Sequence, residues 1–207
     1  MTILIKADMF GNEMNSESKF IIPTLLLLLT SCIPEKNFNN VDITDSTYLA
    51  KSFHLEDADG RVRTLADFRG KVVVMFFGYT YCPDFCPNNL IEIHRAMNVL
   101  GPQADQVQVI FVTVDPARDT ALILKQYVPA FDRRFLGLRP KDDAELAKLA
   151  KDFNIYYKKV PGPTPDTYTM DHTARSYAFD PEGHLRLYIN HANGADALAH
   201  DLRALLN

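Results

Sequence analysis

Two cysteines stand in the run Tyr81-Cys82-Pro83-Asp84-Phe85-Cys86-Pro87, with three residues between them and a proline after each. The chain holds one other cysteine, Cys32, far away in an apolar N-terminal stretch. The paired thiols therefore have each other, or a shared ligand, as covalent or coordinate partner. That leaves thiol redox chemistry or the binding of a soft metal. Pro87 suits the first position of a helix, where its missing N–H costs nothing, and it pushes the residue before it out of helical conformation. Cys86 is accordingly predicted as a helix N-cap, with Cys82 in the turn before it. Both sulfurs then sit at the positive end of a helix dipole. That position favours thiolate, the form that attacks disulfides and binds metal.

Spacing separates the uses. Dithiol oxidoreductases commonly carry two residues between their cysteines, and the wider loop here serves two ends. It can close a Cys82–Cys86 disulfide, or it can open both sulfurs onto one ion. Two thiolates select Cu(I) first, with Zn(II) as the alternative. A purely structural staple is disfavoured, because so short a loop gains little from cross-linking. A mononuclear copper site on two thiolates wants a further donor, and imidazole suits it. Of the six histidines, His172 lies in Thr169-Met170-Asp171-His172-Thr173, a predicted loop that faces the cysteines in the fold argued below. His54, His94, His184, His191 and His200 fall on elements directed elsewhere and read as solvated or hydrogen-bonded side chains. Asp171 is a candidate to orient the His172 ring or add negative charge beside a cation, and equally a turn residue. Asp115 and Asp119 read as helix caps, with Arg118 pairing to one of them. Tyr79 and Tyr81 read as walls of the site.

These residues need elements to hold them. Residues 53–56 and 61–64 form a predicted strand pair around Asp57-Ala58-Asp59-Gly60. Residues 72–77 and 107–114 are apolar on both faces, as central strands of a covered sheet are. Helices are predicted over 87–100, 120–127, 141–154 and 195–206, a short strand over 155–160, and a hairpin from 173–179 and 185–190 around Asp180-Pro181-Glu182-Gly183. Alternating β and α units predict a mostly parallel sheet with right-handed crossovers, made mixed by the terminal hairpin. The expected fold is thioredoxin-like α/β: a mixed central sheet flanked by helices, with an added N-terminal strand pair. In that arrangement the cysteine pair opens the first major helix, and the loop entering the hairpin comes close to it.

The 207 residues give room for one ordinary domain that needs no staple to stand up. The net charge of −4, with acids and bases interspersed and no Lys/Arg cluster, excludes a nucleic-acid footprint. Residues 20–29 are too short an apolar run to span a bilayer and have the length of a signal-peptide core. Leu29-Thr30-Ser31-Cys32 after it resembles the lipobox of bacterial lipoproteins, in which the cysteine is acylated after cleavage. Residues 1–32 are thus read as a lipoprotein-type signal, 33–50 as an Asn-rich linker, and 51–207 as the folded domain. Mature protein would begin at Cys32, tethered by lipid on the extracytoplasmic (periplasmic) side.

From about Lys51 onward the chain resembles the Sco/SenC family of copper-binding, thioredoxin-like proteins. The resemblance is carried by Gly78-Tyr79-Thr80-Tyr81-Cys82-Pro83-Asp84-Phe85-Cys86-Pro87, Val112-Thr113-Val114-Asp115-Pro116-Ala117-Arg118-Asp119-Thr120 and Asp171-His172-Thr173. It implies that Cys82, Cys86 and His172 bind copper, and that the protein helps build the binuclear copper site of cytochrome oxidase subunit II. Such a carrier needs an upstream copper donor and a thiol reductant, since an oxidising compartment closes the pair to a disulfide. The competing reading is a thiol–disulfide oxidoreductase using Cys82 and Cys86 as its redox pair. A peroxidase of the peroxiredoxin type is disfavoured, because Thr80 is not placed as Thr-x-x-Cys requires.

Overall fold

A computed structural model describes residues 37–47, 49, 52–164 and 167–207. Cys32 and the apolar segment before it lie outside the described residues. Among the described residues, ten strands and four α-helices follow in chain order: β1 (Val41–Asp42), β2 (His54–Asp57), β3 (Val62–Thr64), β4 (Val72–Gly78), α1 (Phe85–Leu100), β5 (Val107–Thr113), α2 (Ala121–Tyr127), β6 (Leu136–Arg139), α3 (Asp143–Asp152), β7 (Tyr157–Pro161), β8 (Tyr168–His172), β9 (Ser176–Phe179), β10 (Leu185–Ile189) and α4 (Gly194–Leu206).

Eight strands form one mixed sheet in the order β1-β10-β9-β4-β5-β6-β2-β3. Only β4–β5 and β5–β6 pair in parallel; the other neighbours are antiparallel. The mostly parallel sheet expected from sequence is therefore confined to its centre. The N-terminal pair β2–β3 docks antiparallel onto β6, a four-residue strand too short to show a period in sequence. The linker reading also fails for residues 39–42. Asn39 and Asn40 donate to the buried carboxylate of Asp201 on α4, at 2.8 and 2.9 Å from their backbone N–H groups, and β1 adds to β10. Asparagines, read as linker composition, here satisfy an acid inside the domain.

All seven residues of β4 are buried, and six of the seven in β5. Alternation along these strands feeds two cores. Phe76 meets Phe111 and His191 on one face, while Phe77 meets Phe153, just after α3, and Tyr177 on the other. The α1 stripe Leu90, Ile93 and Met97 is buried, with α4 packed beside it. Each fully buried side chain of this size contributes about 1.5–3 kcal/mol through burial. The C-terminal end of β4 is thus a rigid platform, and the chain leaves it directly into the cysteine loop.

β7 and β8 form a separate two-stranded ribbon, with Tyr157 opposite His172 and Pro161 opposite Tyr168. The sequence reading has β7 but not β8, because Tyr168-Thr169-Met170-Asp171-His172 follows a Pro-rich turn and carries mixed polarity. His172 is consequently the last residue of a strand rather than a loop residue.

Candidate metal centre

α1 begins at Phe85, with Asp84 as its N-cap, so Cys86 is already helical and Pro87 sits third. The prolines of a first turn are tolerated there too, since the first four N–H groups of any helix lack an internal partner. The Asp84 side chain does not cap the helix; its carboxylate accepts from the Asn88 side chain at 2.5 Å. The acceptor for the Cys86 N–H is instead the Cys82 sulfur, at 3.4 Å. A thiol does what a serine or aspartate does elsewhere, and the N–H it receives favours its anionic form.

The two thiols are accordingly unequal. The Cys86 thiol donating to Cys82, helped by the N–H groups of Cys86 and Asp84 and the nearby His172 ring, lowers Cys82 to about 5 against the cost of burial. The same contact with Cys82, reinforced by burial, pushes the Cys86 thiol well above its ordinary range. Cys86 is fully buried and Cys82 half-buried. Gly78 makes room for this: a Cβ there would lie 3.0 Å from the Cys86 Sγ and 2.8 Å from the Phe111 ring.

His172 Nε2 lies 3.5 Å from Cys86 Sγ. Its Nδ1 is 3.0 Å from the Thr173 carbonyl oxygen, which can only accept, so Nδ1 carries a proton, and in the neutral ring Nε2 is the nitrogen with the lone pair a metal needs. The Tyr79 ring meets the imidazole edge-on at 5.6 Å between centroids. Cys82, Cys86 and His172 thus bring three potential ligand atoms to within 4.8 Å of one another. That donor set fits a soft ion such as Cu(I). Alternation along β8 puts Tyr168, Met170 and His172 on the face toward the core, and Thr169 and Asp171 on the other. Asp171 is exposed opposite Lys158. The ring is oriented by the Thr173 carbonyl, and not by Asp171, for which the sequence left an orienting role and a turn role equally open. A backbone acceptor of this kind leaves no trace in residue types.

Asp119 is no helix cap either. It is fully buried and accepts from the Thr80 N–H at 3.0 Å, the Thr80 hydroxyl at 2.6 Å and the Thr113 hydroxyl at 2.5 Å. Burial raises its pKa, and the hydroxyls and amide work against that rise. It ties the start of the cysteine loop to the end of β5, while Thr120 caps α2 by accepting from the Ile123 N–H. Asp115 pairs with Arg118, Nε to Oδ2 at 2.5 Å, and accepts from the Tyr168 hydroxyl at 2.9 Å. The remaining histidines lie off the site. His94 meets Asp132, His191 meets Ser176 and His200 meets Asp201. Asp180, Glu182 and His184 also gather in the β9–β10 turn, but Asp180 already accepts from the His184 N–H and from Arg186, a cation in its own right.

The fold and site together define a thioredoxin-like protein whose dithiol helix start faces a strand-borne imidazole. The family model described as SCO1/SenC matches residues 41–207, and the chain belongs to that family. It is 36% identical over 153 residues to the mitochondrial SCO2 homolog of Bos taurus, an alignment that takes in 73% of this chain and 57% of that protein. The chain thus spans little more than half the length of that curated relative. Among solved structures it resembles Bradyrhizobium japonicum ScoI with copper bound, at 41% identity and a TM-score of 0.68, covering 75% of this chain and 98% of that one. Yeast Sco1 with copper bound is similar at 31% identity and a TM-score of 0.67, over 75% of this chain and 86% of the other.

Proposed function

We propose that this chain is a copper carrier that holds the ion on Cys82, Cys86 and His172 and delivers it to the binuclear copper site of cytochrome c oxidase subunit II. The observation that carries the reading is the convergence of two sulfurs and one Nε2 lone pair in a half-buried cleft. Copper in the related ScoI and Sco1 structures supports it. The ion is cargo: a thiolate ready at Cys82 captures it, Cys86 yields its proton to become the second thiolate, and His172 completes the set. Release runs by exchange of these ligands for those of the receiving protein, with a thiol reductant keeping the pair open. Acylation at Cys32 would hold the domain at the outer face of a membrane, within reach of an oxidase.

Titration of the reduced full chain with copper tests this. One ion per chain is expected, with binding lost in Cys82→Ser and Cys86→Ser and weakened in His172→Ala. Equal retention by His172→Ala would remove the imidazole from the site. A second reading, a thiol–disulfide oxidoreductase acting on oxidase cysteines, is favoured by one feature, the unequal acidity of the two thiols. Oxidase activity in cells lacking the protein separates the two. Rescue by His172→Ala supports redox work; rescue by added copper alone supports metal delivery.

A further inference from the structure

The site is assembled from two parts with different attachments. Cys86 rides on α1 and Cys82 on the short loop that leaves β4, both fixed to the core, whereas His172 rides on a ribbon that is not hydrogen-bonded into the main sheet. Something must hold the ribbon at the distance where Nε2 meets sulfur. Arg118, in the loop between β5 and α2, touches every piece involved. Its Nε pairs with Asp115, and its Nη1 donates to the Tyr168 carbonyl of β8 at 2.8 Å. Its guanidinium lies 3.5 Å from the centre of the Tyr168 ring, 4.8 Å from that of Tyr81 in the cysteine loop and 5.9 Å from that of Tyr79, the tyrosine against His172. Asp115 grips both sides of this contact by also accepting from the Tyr168 hydroxyl. Such a planar cation can stack on rings and hydrogen-bond in plane at once; an ammonium cannot. Its Nη2 is buried without a hydrogen-bond partner, so the ring faces rather than a full set of acceptors fix its position.

We propose that Arg118 is a positioning residue for the metal site: it latches the β7–β8 ribbon to the cysteine loop and so holds His172 in place as a ligand. The inference rests on the copper-site reading above. Tyr168, Met170 and His172 share one face of β8, so fastening that face at Tyr168 sets the height of the imidazole two pleats further on. Without the latch the ribbon keeps its packing at Tyr157, Tyr168 and Met170 and the Tyr168 hydroxyl bond to Asp115, but loses its charged tie to the cysteine loop, and ligand capture must then order the His172 end.

The test is a double-mutant cycle on the reduced full chain, with copper affinity measured by competition against a chromophoric chelator. Nitrogen coordination is read by electron paramagnetic resonance of the Cu(II) form. Arg118→Ala is expected to bind copper about tenfold more weakly than wild type and to lose nitrogen hyperfine intensity, with Arg118→Lys restoring little of either. In a His172→Ala background the same Arg118→Ala change is expected to cost nothing, because the ribbon no longer brings a ligand. An equal loss in both backgrounds would show a general effect on the fold, and an unchanged affinity and spectrum in the single variant would show no latch; either overturns the proposal. His172→Ala binding as tightly as wild type would instead sink the copper-site reading, and the latch with it.

Discussion

The inequality of the two thiols gives the sharpest prediction. Replacing Cys86 by Ala removes the S–H that donates to Cys82, leaving the N–H of residue 86 as the main remaining stabiliser of the thiolate. The wild-type Cys82 should titrate near 5, and the variant should move up toward the ordinary thiol value of about 8.5. Rate at neutral pH is a poor readout. At pH 7 the wild type is about 99% thiolate and an ordinary cysteine about 3%, but a weaker base is also a weaker nucleophile, by roughly fortyfold over such a difference at a Brønsted slope near 0.45. The two factors nearly cancel. At pH 5.5 they do not: about 76% against about 0.1% thiolate leaves the wild type roughly twentyfold faster, the upper limit for complete reversion. The assay is alkylation of the reduced protein from pH 4 to 9, resolved by peptide mass so that Cys32 is counted separately. A wild-type inflection at 8 or above, or a variant inflection still near 5, would refute the reasoning. Linkage gives the same sign in stability. The folded value lies below the unfolded one, so the contribution of Cys82 is complete above about 8.5 and disappears as pH falls through about 5.

Further consequences concern loading and packing. Cu(I) binding at pH 7 should release about one proton, from Cys86, because Cys82 is already ionised; calorimetry in buffers of different ionisation enthalpy measures it. Two protons at that pH would show that Cys82 starts as a thiol. Gly78→Ala should destabilise by about 1–3 kcal/mol and displace the Cys86 sulfur, since the new methyl would stand 2.8 Å from Phe111 and 3.0 Å from Sγ. Denaturant melts and copper affinity should fall together, and a variant of native stability would contradict the packing argument. Asp119→Ala leaves the buried Thr113 donor and the half-buried Thr80 donors without their acceptor. A loss of about 2–4 kcal/mol is expected, with faster hydrogen exchange at the Thr80 amide as its local signature.

The cysteine pair and its place at a helix start were legible because they depend on residue type and on strong local periodicity; His172 was set opposite them by the expected topology alone, as a loop residue and not as the end of a strand. Val72–Gly78 and Val107–Thr113 announce themselves as central strands through apolar runs, the second interrupted only at Gln108 and Thr113. The parts that escaped depend on partners distant in sequence. β6 and β8 are strands because neighbours receive their hydrogen bonds, not because Leu136–Arg139 or Tyr168–His172 carry a pattern. Asp119 looks like a cap from its place before Thr120, and only the approach of Thr80 turns it into an anchor. Asp171 was as readable as the ring's partner as it was as a turn residue, but on β8 its side chain points to the opposite face and a backbone carbonyl takes the ring instead. The Asn-rich stretch before Val41 reads as solvated until Asp201, more than 150 residues later, supplies its acceptor.

Because the Cys82 sulfur receives the amide proton of residue 86, that single backbone group senses whatever happens to the sulfur's electrons. Closing the disulfide removes the anionic charge from the acceptor, and a coordinated ion draws on the same lone pairs. An isotope-labelled sample would therefore display reduced, oxidised and loaded populations as separate amide resonances at one position, allowing traffic through the carrier to be followed without a dye, a tag or a coupled reaction.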